Sequence, residues 1–278
     1  MNLKNYEKKK EFLICVDSDG CAMDTMDIKH IRCFGPCMVE EWGLGKWKEP
    51  ILERWNEINL YTMTRGINRF KGLAKMLGEV HETYMEIEDL PALEKWVEES
   101  SELSNQALAD AIREKESVAL KKALFWSVKV NEKINDLPFD VKKPFSGVKE
   151  ALAAAHEKAD IAIVSSANLQ AVEEEWELYG LLKHVDILLA QDTGSKAFCI
   201  GELVKKGYNV RNVLMTGDAP GDYEAASKNG VFFYPILVRH ENESWEEFRN
   251  EGALRLFDGS YEGAYQEKKI AEFMDNLK

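Results

Sequence analysis

Two carboxylates directly follow the first apolar run of this sequence. Phe12–Val16 is apolar throughout, Asp17 and Asp19 come next with one residue between them, and Gly20 follows. Clustered carboxylates raise each other's pKa, and a divalent cation such as Mg²⁺, which prefers oxygen ligands, removes that conflict. A carboxylate can attack phosphorus as a nucleophile, and a neighbouring carboxyl group can exchange a proton with the leaving oxygen. These residue types at this spacing therefore favour magnesium-dependent phosphoryl transfer.

Further polar groups follow three later apolar runs. In chain order they are Ser165, Ser166 and Asn168 after "DIAIV", Lys196 after "VDILLA" and the loop "QDTGS", and Asp218 and Asp222 after "VLMTG". Hydroxyl groups, a lysine and the N–H groups of a helix start are donors that offset the charge of a transferring phosphoryl group. Either Ser165 or Ser166 could donate the hydroxyl hydrogen bond to the phosphoryl group, and the length of the preceding strand favours Ser165.

The elements that must position these groups alternate along residues 145–240. Helical segments separate short apolar runs, and this alternation predicts right-handed crossovers and a parallel sheet. The runs are apolar on both sides of the pleat, as in sheets that are covered on both faces. Because ligands bind beyond the carboxyl ends of such strands, the groups above are expected to converge at one edge of the sheet.

Residues 23–144 have a different composition, rich in helix formers and without a convincing strand. We interpret them as an inserted helical domain, with residues 1–22 and 145–278 forming the α/β core. Within the insertion, Arg65, Arg69 and Lys71 surround Gly66 and could hold a second anionic group of a substrate; the alternative is a solvated turn. The segment from 241 onward suggests helices but no function.

Each candidate group also has an ordinary structural explanation. Asp17 and Asp19 could form an acidic turn, Asp218 could cap a helix, and Lys196 could be a solvated helix residue. A calcium-binding loop fails on spacing, because its sixth position would be Ala22 instead of Gly. The occurrence of all these groups at four successive strand ends favours the catalytic interpretation.

The bulk composition narrows the range of partners. With a net charge of −13 and an isoelectric point near 5.0, we expect no nucleic acid partner and no anionic membrane surface. A small anionic substrate is compatible, since a bound cation can override the net field. The sequence has no apolar window of about 18 residues, so we expect no transmembrane helix. The five irregularly spaced cysteines indicate reduced thiols in a cytoplasmic protein. The sequence does not specify an oligomeric state.

Four motifs together resemble those of the haloacid dehalogenase superfamily of phosphohydrolases. They are "VDSDG", "IVSSAN", the lysine of "GSK" and "MTGDAPGD", in this order and each at the end of a predicted strand. Asp24 and Thr25 also fall where many members carry such a pair, at the entry to a mobile cap. The resemblance implies a Rossmann-like parallel sheet core with an all-α cap domain inserted between the first two motifs.

The resemblance also implies roles for individual residues. Asp17 would be the nucleophile and a Mg²⁺ ligand, and Asp19 would be the general acid and base, with its backbone carbonyl on the metal. Ser165 would bind the phosphoryl group with the N–H of Ser166 nearby, and Lys196 would steady the nucleophile. For the remaining positions, Asp218 would bind Mg²⁺, Asp222 would support it, and Asn168, Arg65 and Arg69 are candidate substrate-binding residues.

The sequence therefore leads to one principal functional hypothesis and two alternatives. The principal one is a Mg²⁺-dependent phosphatase that hydrolyses a small phosphorylated metabolite through an aspartyl phosphate. A phosphomutase resembling β-phosphoglucomutase would use the same core residues, so these residues do not separate the two. A non-catalytic binding protein on the same fold would be expected to lack at least one catalytic group, and all of them are present.

Overall fold

The computed structural model describes residues 3–278, which form two units. The α/β unit contains the residues before Asp27 together with Phe139–Lys278, and the helical unit contains Asp27–Pro138. A short antiparallel strand pair, Met23–Asp24 with Lys143–Pro144, lies in the α/β unit. The expectation of no strand between 23 and 144 was wrong here, because strands of two residues are too short to show an alternating pattern.

The strands of the described residues are, in chain order, β1 (Phe12–Val16), β2 (Met23–Asp24), β3 (Lys143–Pro144), β4 (Ala159–Val164), β5 (Ile187–Leu189), β6 (Val213–Gly217) and β7 (Phe232–Pro235). Five of them form the central parallel sheet of the α/β unit, in the order β5-β4-β1-β6-β7. β1 lies between β4 and β6, with Cys15 opposite both Ala162 and Met215. The chain order reverses on the two sides of β1, and such a switch point is where α/β sheets place their sites.

Helices cover the sheet on both faces, as the burial of consecutive strand residues requires. All six residues of β4 and all five of β6 are buried. The helices of this unit are α8 (Val148–His156), α9 (Leu169–Leu178), α10 (Lys196–Val204), α11 (Pro220–Lys228), α12 (Glu241–Glu247), α13 (Ala253–Asp258) and α14 (Ala264–Asn276). A π-helical turn, Phe248–Gly252, joins α12 to α13. The parallel, helix-covered sheet confirms the predicted α/β class.

The chain enters the helical unit through α1 (Met26–Lys29), and that unit has its own aromatic core. Its other helices are α2 (Gly35–Glu41), α3 (Lys48–Asn56), α4 (Arg69–Thr83), α5 (Leu90–Glu99), α6 (Asn105–Glu114) and α7 (Val118–Asn135), with π-helical turns at His30–Phe34 and Glu57–Tyr61. Trp126 is fully buried, and its ring lies edge-on to Trp55 and Phe70. Its indole N–H donates to the carbonyl of Phe34 at 3.1 Å.

Short 3₁₀ turns complete the backbone at Leu3–Asn5, Gly45–Trp47, Phe139–Val141, Leu182–His184 and Val210–Asn212. Among the described residues, none of the helices combines the length and apolar character needed to cross a bilayer.

Candidate active site

Asp17 lies at the carboxyl end of β1, where the sheet fixes its backbone. Its N–H donates to the carbonyl of Thr216 at 3.0 Å, which extends the β1–β6 ladder by one residue. Its side chain is buried, and its Oδ1 lies 2.9 Å from Nζ of Lys196. The end of β1 therefore places a carboxylate in a buried position with a cation beside it.

The end of β6 brings two more carboxylates to the same place. Asp218 and Asp222 are both fully buried. Asp222 is in the first turn of α11, and its Oδ2 accepts the N–H groups of Asp218 at 3.2 Å and Ala219 at 3.1 Å. Asp222 therefore caps the helix that follows β6 and folds back over the end of that strand.

Gly217 makes the close approach of Asp222 possible. A Cβ atom at position 217 would lie 2.3 Å from Cγ of Asp222, well inside van der Waals contact. Only glycine fits this position without a shift of the carboxylate. The sequence suggested no role for Gly217; a glycine at the end of a strand, directly before an acid, was the signal that could have indicated one.

Lys196 connects the two strand ends. It is the first residue of α10, whose N-cap Ser195 accepts the N–H of Phe198 at 3.2 Å. Its Nζ lies 2.9 Å from Oδ1 of Asp17 and 2.6 Å from Oδ1 of Asp222. Burial opposes its charge, but the two carboxylates outweigh burial and raise the pKa of Lys196 above its ordinary value.

The three buried carboxylates fit a divalent cation. Asp17, Asp218 and Asp222 each offer an oxygen atom within 4.8 Å of the others. Burial raises the pKa of Asp17 well above its ordinary value; Lys196 lowers this pKa, whereas Asp222 and Asp218 raise it further. The single ammonium of Lys196 therefore leaves an excess of negative charge, which an oxygen-preferring divalent cation would offset.

Asp19 lies in a tight turn beyond the buried cluster. Gly20 has a positive φ of 81°, its N–H donates to the carbonyl of Met23 at 2.8 Å, and the N–H of Met23 donates to the carbonyl of Ser18 at 2.8 Å. The buried Thr25 hydroxyl donates to Oδ1 of Asp19. Asp19 is partly exposed, whereas Asp17 is buried, so the two acids have different environments.

The residues after β4 divide into buried and exposed positions. Ser165 is buried, its N–H donates to the carbonyl of Leu189 at 2.9 Å, and its Oγ accepts the N–H of Ala167 at 3.1 Å. Ser166 is exposed. Asn168 is the N-cap of α9, where its Oδ1 accepts the N–H of Ala171 at 3.3 Å. The Asn168 side chain thus has a structural use, and its substrate-binding role stays a prediction.

The two candidate arginines of the helical unit make contacts within that unit. Arg65 is 2% exposed, and its Nη1 donates to the carbonyl of Leu60 at 2.6 Å. The solvated-turn alternative was therefore wrong for Arg65. Nη1 of Arg69 donates to Oδ1 of Asn131 at 2.7 Å, and its guanidinium lies 5.0 Å from the Phe34 ring centre. Burial lowers the pKa of Arg69 to about 10.

These contacts give both arginines a structural role inside the helical unit. A guanidinium that already donates to protein carbonyl and amide groups has fewer donors left for a ligand. The predicted substrate-binding roles of Arg65 and Arg69 stay predictions, and these hydrogen bonds do not support them.

Three comparisons with known proteins bear on this site. The family model for haloacid dehalogenase-like hydrolases matches residues 67–236, more than half of the chain. This match includes the ends of β4, β5 and β6 and begins after β1. None of the curated proteins compared with the chain matches it significantly.

Solved structures of low sequence identity share the fold. A protein from Lactobacillus plantarum, provisionally described as a phosphoglycolate phosphatase, is 12% identical with a TM-score of 0.51, and the match covers 90% of this chain and 99% of that one. A haloacid dehalogenase-like hydrolase from Streptococcus pneumoniae is 11% identical with a TM-score of 0.50, covering 84% and 90% of the two chains. At these identities the likeness extends to the fold alone.

The family match contains three of the four sequence motifs, and "VDSDG" lies before its first residue. Asp17, Asp218, Asp222 and Lys196 lie together at the carboxyl ends of β1 and β6 and at the start of α10. The chain belongs to the haloacid dehalogenase-like hydrolases.

Proposed function

We propose that this protein is a Mg²⁺-dependent phosphatase that hydrolyses a small phosphorylated metabolite through an aspartyl phosphate on Asp17. The observation that carries the proposal is the buried bridge in which Lys196 contacts both Asp17 and Asp222, beside Asp218. Such a cluster concentrates a nucleophile, a fixed cation and metal-ligand oxygens at one point, which is the set that phosphoryl transfer needs.

Asp17 and Asp19 would have different roles, Asp17 as the nucleophile and Asp19 as the general acid and base. An Oδ atom of Asp17 attacks phosphorus while the bond from phosphorus to the leaving oxygen breaks, and Asp19 gives its proton to that oxygen. Asp19 then takes a proton from a water molecule whose oxygen attacks the same phosphorus. The bond between Asp17 and phosphorus breaks, inorganic phosphate leaves, and both acids return to their starting states. The partial exposure of Asp19 supports its contact with water.

Lys196 and Ser165 would stabilise the transferring group. Lys196 is held by two carboxylates, so its ammonium is fixed before substrate arrives and needs little reorganisation. Ser165 uses its Oγ as an acceptor for Ala167, which leaves the O–H proton for a phosphoryl oxygen. Its burial supports Ser165 over the exposed Ser166 as the hydroxyl donor.

Asp17, Asp218 and Asp222 are the side chains that would hold the Mg²⁺ ion, and the resemblance adds the backbone carbonyl of Asp19. When bound, the cation supplies positive charge that offsets the oxygens of the phosphoryl group. All three carboxylates have oxygen donors of the kind that Mg²⁺ prefers.

We propose that the helical unit, Asp27–Pro138, acts as a cap that selects the substrate. The path of the chain supports this proposal. The chain leaves the α/β unit after β2 and returns to it before β3, and these two strands pair with each other, with Asp24 opposite Lys143. Both connections to the helical unit therefore start from one short strand pair beside the turn that carries Asp19.

Phosphate release from a panel of phosphorylated metabolites tests the proposal. The panel is run with Mg²⁺ and with chelator, on the natural protein, on Asp17→Asn and on Asp275→Asn, a matched change at an exposed carboxylate of α14. We expect release that requires Mg²⁺ and Asp17 and is unaffected in the Asp275 variant. Isomerised products without phosphate release would indicate a mutase. Release that persists in Asp17→Asn would contradict the proposed nucleophile.

A further inference from the structure

Two buried tryptophans donate hydrogen bonds to the turn that carries the candidate acids. Nε1 of Trp176 donates to Oγ of Ser18 at 2.9 Å, and Nε1 of Trp245 donates to the carbonyl of Cys21 at 2.8 Å. All four residues are fully buried. Ser18 lies between Asp17 and Asp19 in the sequence, and Cys21 follows Gly20, so the two indoles hold the turn on either side of Asp19.

The Ser18 hydrogen bond needs an explanation beyond packing. A buried hydroxyl or indole N–H is costly unless it has a partner, and apolar residues at both position 18 and position 176 would avoid that cost. The pairing instead fixes the direction of the Ser18 side chain and, with it, the backbone between the two acids. The carbonyl of Ser18 also accepts the N–H groups of Cys21 at 3.3 Å and Met23 at 2.8 Å, which close the turn.

Trp245 links the turn to the C-terminal segment, for which the sequence suggested no function. It lies on α12, next to Ser244, whose carbonyl accepts the hydroxyl of Tyr234 at 2.9 Å and whose Oγ accepts the N–H of Leu237 at 3.0 Å. α12 is thereby tied to β7 and the residues that follow it. The Trp245 indole extends that anchored framework to the Cys21 carbonyl.

We propose that Trp176 and Trp245 are positioning residues that hold the Ser18–Cys21 turn so that Asp19 is placed correctly relative to Asp17. This inference rests on the proposed function, because it assigns Asp19 the proton transfer to the leaving oxygen. Asp17 has separate supports in the Thr216 carbonyl and Lys196. Loss of either indole N–H is therefore expected to displace Asp19 more than Asp17.

The test uses two substrates that differ in their need for an acid. p-Nitrophenyl phosphate has a good leaving group, whereas the best alkyl phosphate of the metabolite panel requires protonation of its leaving oxygen. Trp176→Phe, Trp245→Phe and Ser18→Ala each remove one of the two hydrogen bonds and keep most of the volume. A general acid contributes about 10²–10⁴-fold. Asp19 is also the proposed base in the hydrolysis step that both substrates share, so kcat/KM, which reports on the first step, is the quantity compared. We expect partial misplacement to lower kcat/KM for the alkyl phosphate about 10–100-fold, with a much smaller loss for p-nitrophenyl phosphate.

Tyr261→Phe is the control for the loss of a buried hydrogen bond elsewhere in the same unit. The hydroxyl of Tyr261 donates to the carbonyl of Phe233 at 2.7 Å. This variant is expected to lower Tm without changing the ratio of the two kcat/KM values. Circular dichroism measures the folded fraction of each variant, and the tryptophan and serine variants are compared with Tyr261→Phe at equal folded fraction.

The outcomes separate this inference from the function on which it rests. An active natural protein whose Trp176, Trp245 and Ser18 variants lose kcat/KM equally for both substrates, or lose none, overturns the positioning role alone. A natural protein without Mg²⁺-dependent and Asp17-dependent phosphate release overturns the proposed function and, with it, this inference. Trp176→Phe and Ser18→Ala remove the same hydrogen bond, so their effects on the alkyl phosphate should be alike and should not add in the double variant. That result would establish the Ser18–Trp176 contact as the source of the loss.

Discussion

The close approach of Asp222 to Gly217 makes Gly217→Ala a sharp test of how the site is built. The added Cβ would lie 2.3 Å from Cγ of Asp222 and 2.4 Å from its Oδ2. Carbon atoms in contact prefer about 3.5–4.0 Å, so the carboxylate must move by roughly 1 Å. That shift would disturb its two backbone hydrogen bonds and its contact with Lys196.

The expected magnitudes follow from those contacts. A hydrogen bond to a charged group contributes about 1.5–3 kcal/mol, so weakening two of them should lower the free energy of unfolding by roughly 2–4 kcal/mol. A misplacement of about 1 Å can cost about 10²-fold in rate, and kcat for Mg²⁺-dependent phosphate release should fall by about that factor. Urea denaturation measures the first quantity and steady-state phosphate release the second.

Gly221→Ala is the matched control, in α11, the helix that also carries Asp222. A Cβ at position 221 would meet nothing within 4 Å. Alanine is favoured over glycine in helices by about 0.5–1 kcal/mol, so this variant should be as stable as the natural protein or slightly more so. Natural stability and activity in Gly217→Ala would refute the reasoning that glycine is required beside Asp222.

Three further predictions concern buried charges. Lys196→Met should lower the free energy of unfolding by about 3–5 kcal/mol without Mg²⁺, because it leaves buried carboxylates without their cation; added Mg²⁺ should restore part of the loss in urea denaturation. Lys269→Met should cost about 1–3 kcal/mol, since this buried ammonium contacts Glu247 at 2.7 Å; thermal unfolding measures the loss. Asp186→Asn should reduce stability at neutral pH but less in acid. Burial opposes the charge of Asp186, but the Ile161 N–H and Lys9 outweigh burial and lower its pKa, so its stabilisation is present above about pH 4 and disappears as the pH falls through the folded-state pKa.

Each of these predictions has a contradicting result. For Lys196→Met, the increase in the free energy of unfolding on adding Mg²⁺ is compared with that of an Asp17→Asn, Asp218→Asn double variant. An equal increase in both proteins would contradict the metal assignment. For Lys269, unchanged thermal unfolding would show that its ion pairs contribute nothing net. A stability difference between Asp186→Asn and the natural protein that stays constant down to about pH 2 would rule out ionised Asp186 as the stabilising form.

The convergence of the site could be predicted because it follows from sheet topology. The carboxyl ends of neighbouring parallel strands lie at one edge, so acids that follow β1 and β6 must be close once the strands are recognised. Asp17, Asp218 and Lys196 needed only that rule. The α/β class followed for the same reason, since buried apolar runs separated by helices have few alternative arrangements.

The contacts that support the site could not be predicted from local patterns. Trp176 and Ser18 are 158 residues apart, and Trp245 and Cys21 are 224 apart. No spacing rule connects side chains at such separations. The approach of Asp222 to Gly217 likewise depends on the geometry of the strand-to-helix connection.

The packing of the arginines in the helical unit could not be predicted from charge patterning. A basic cluster in an acidic chain suggested an anion site or a solvated turn. The structure buries Arg65 beside the Leu60 carbonyl and places Arg69 against the Phe34 ring, and the substrate-binding roles stay predictions. An arginine has a long apolar stem and a guanidinium that can stack on an aromatic ring, so it can serve as a core residue once its donors are satisfied.

Detection of a phosphoryl group on Asp17 tests the central claim most directly. The natural protein is mixed with Mg²⁺ and its best panel substrate, quenched in acid within one turnover, and treated with borohydride, which reduces an acyl phosphate to the alcohol. Mass spectrometry of the peptide that contains Asp17 should then find homoserine at position 17, and chelator should abolish it. An active enzyme whose position 17 is unchanged, or whose label lies on another residue, would contradict Asp17 as the nucleophile.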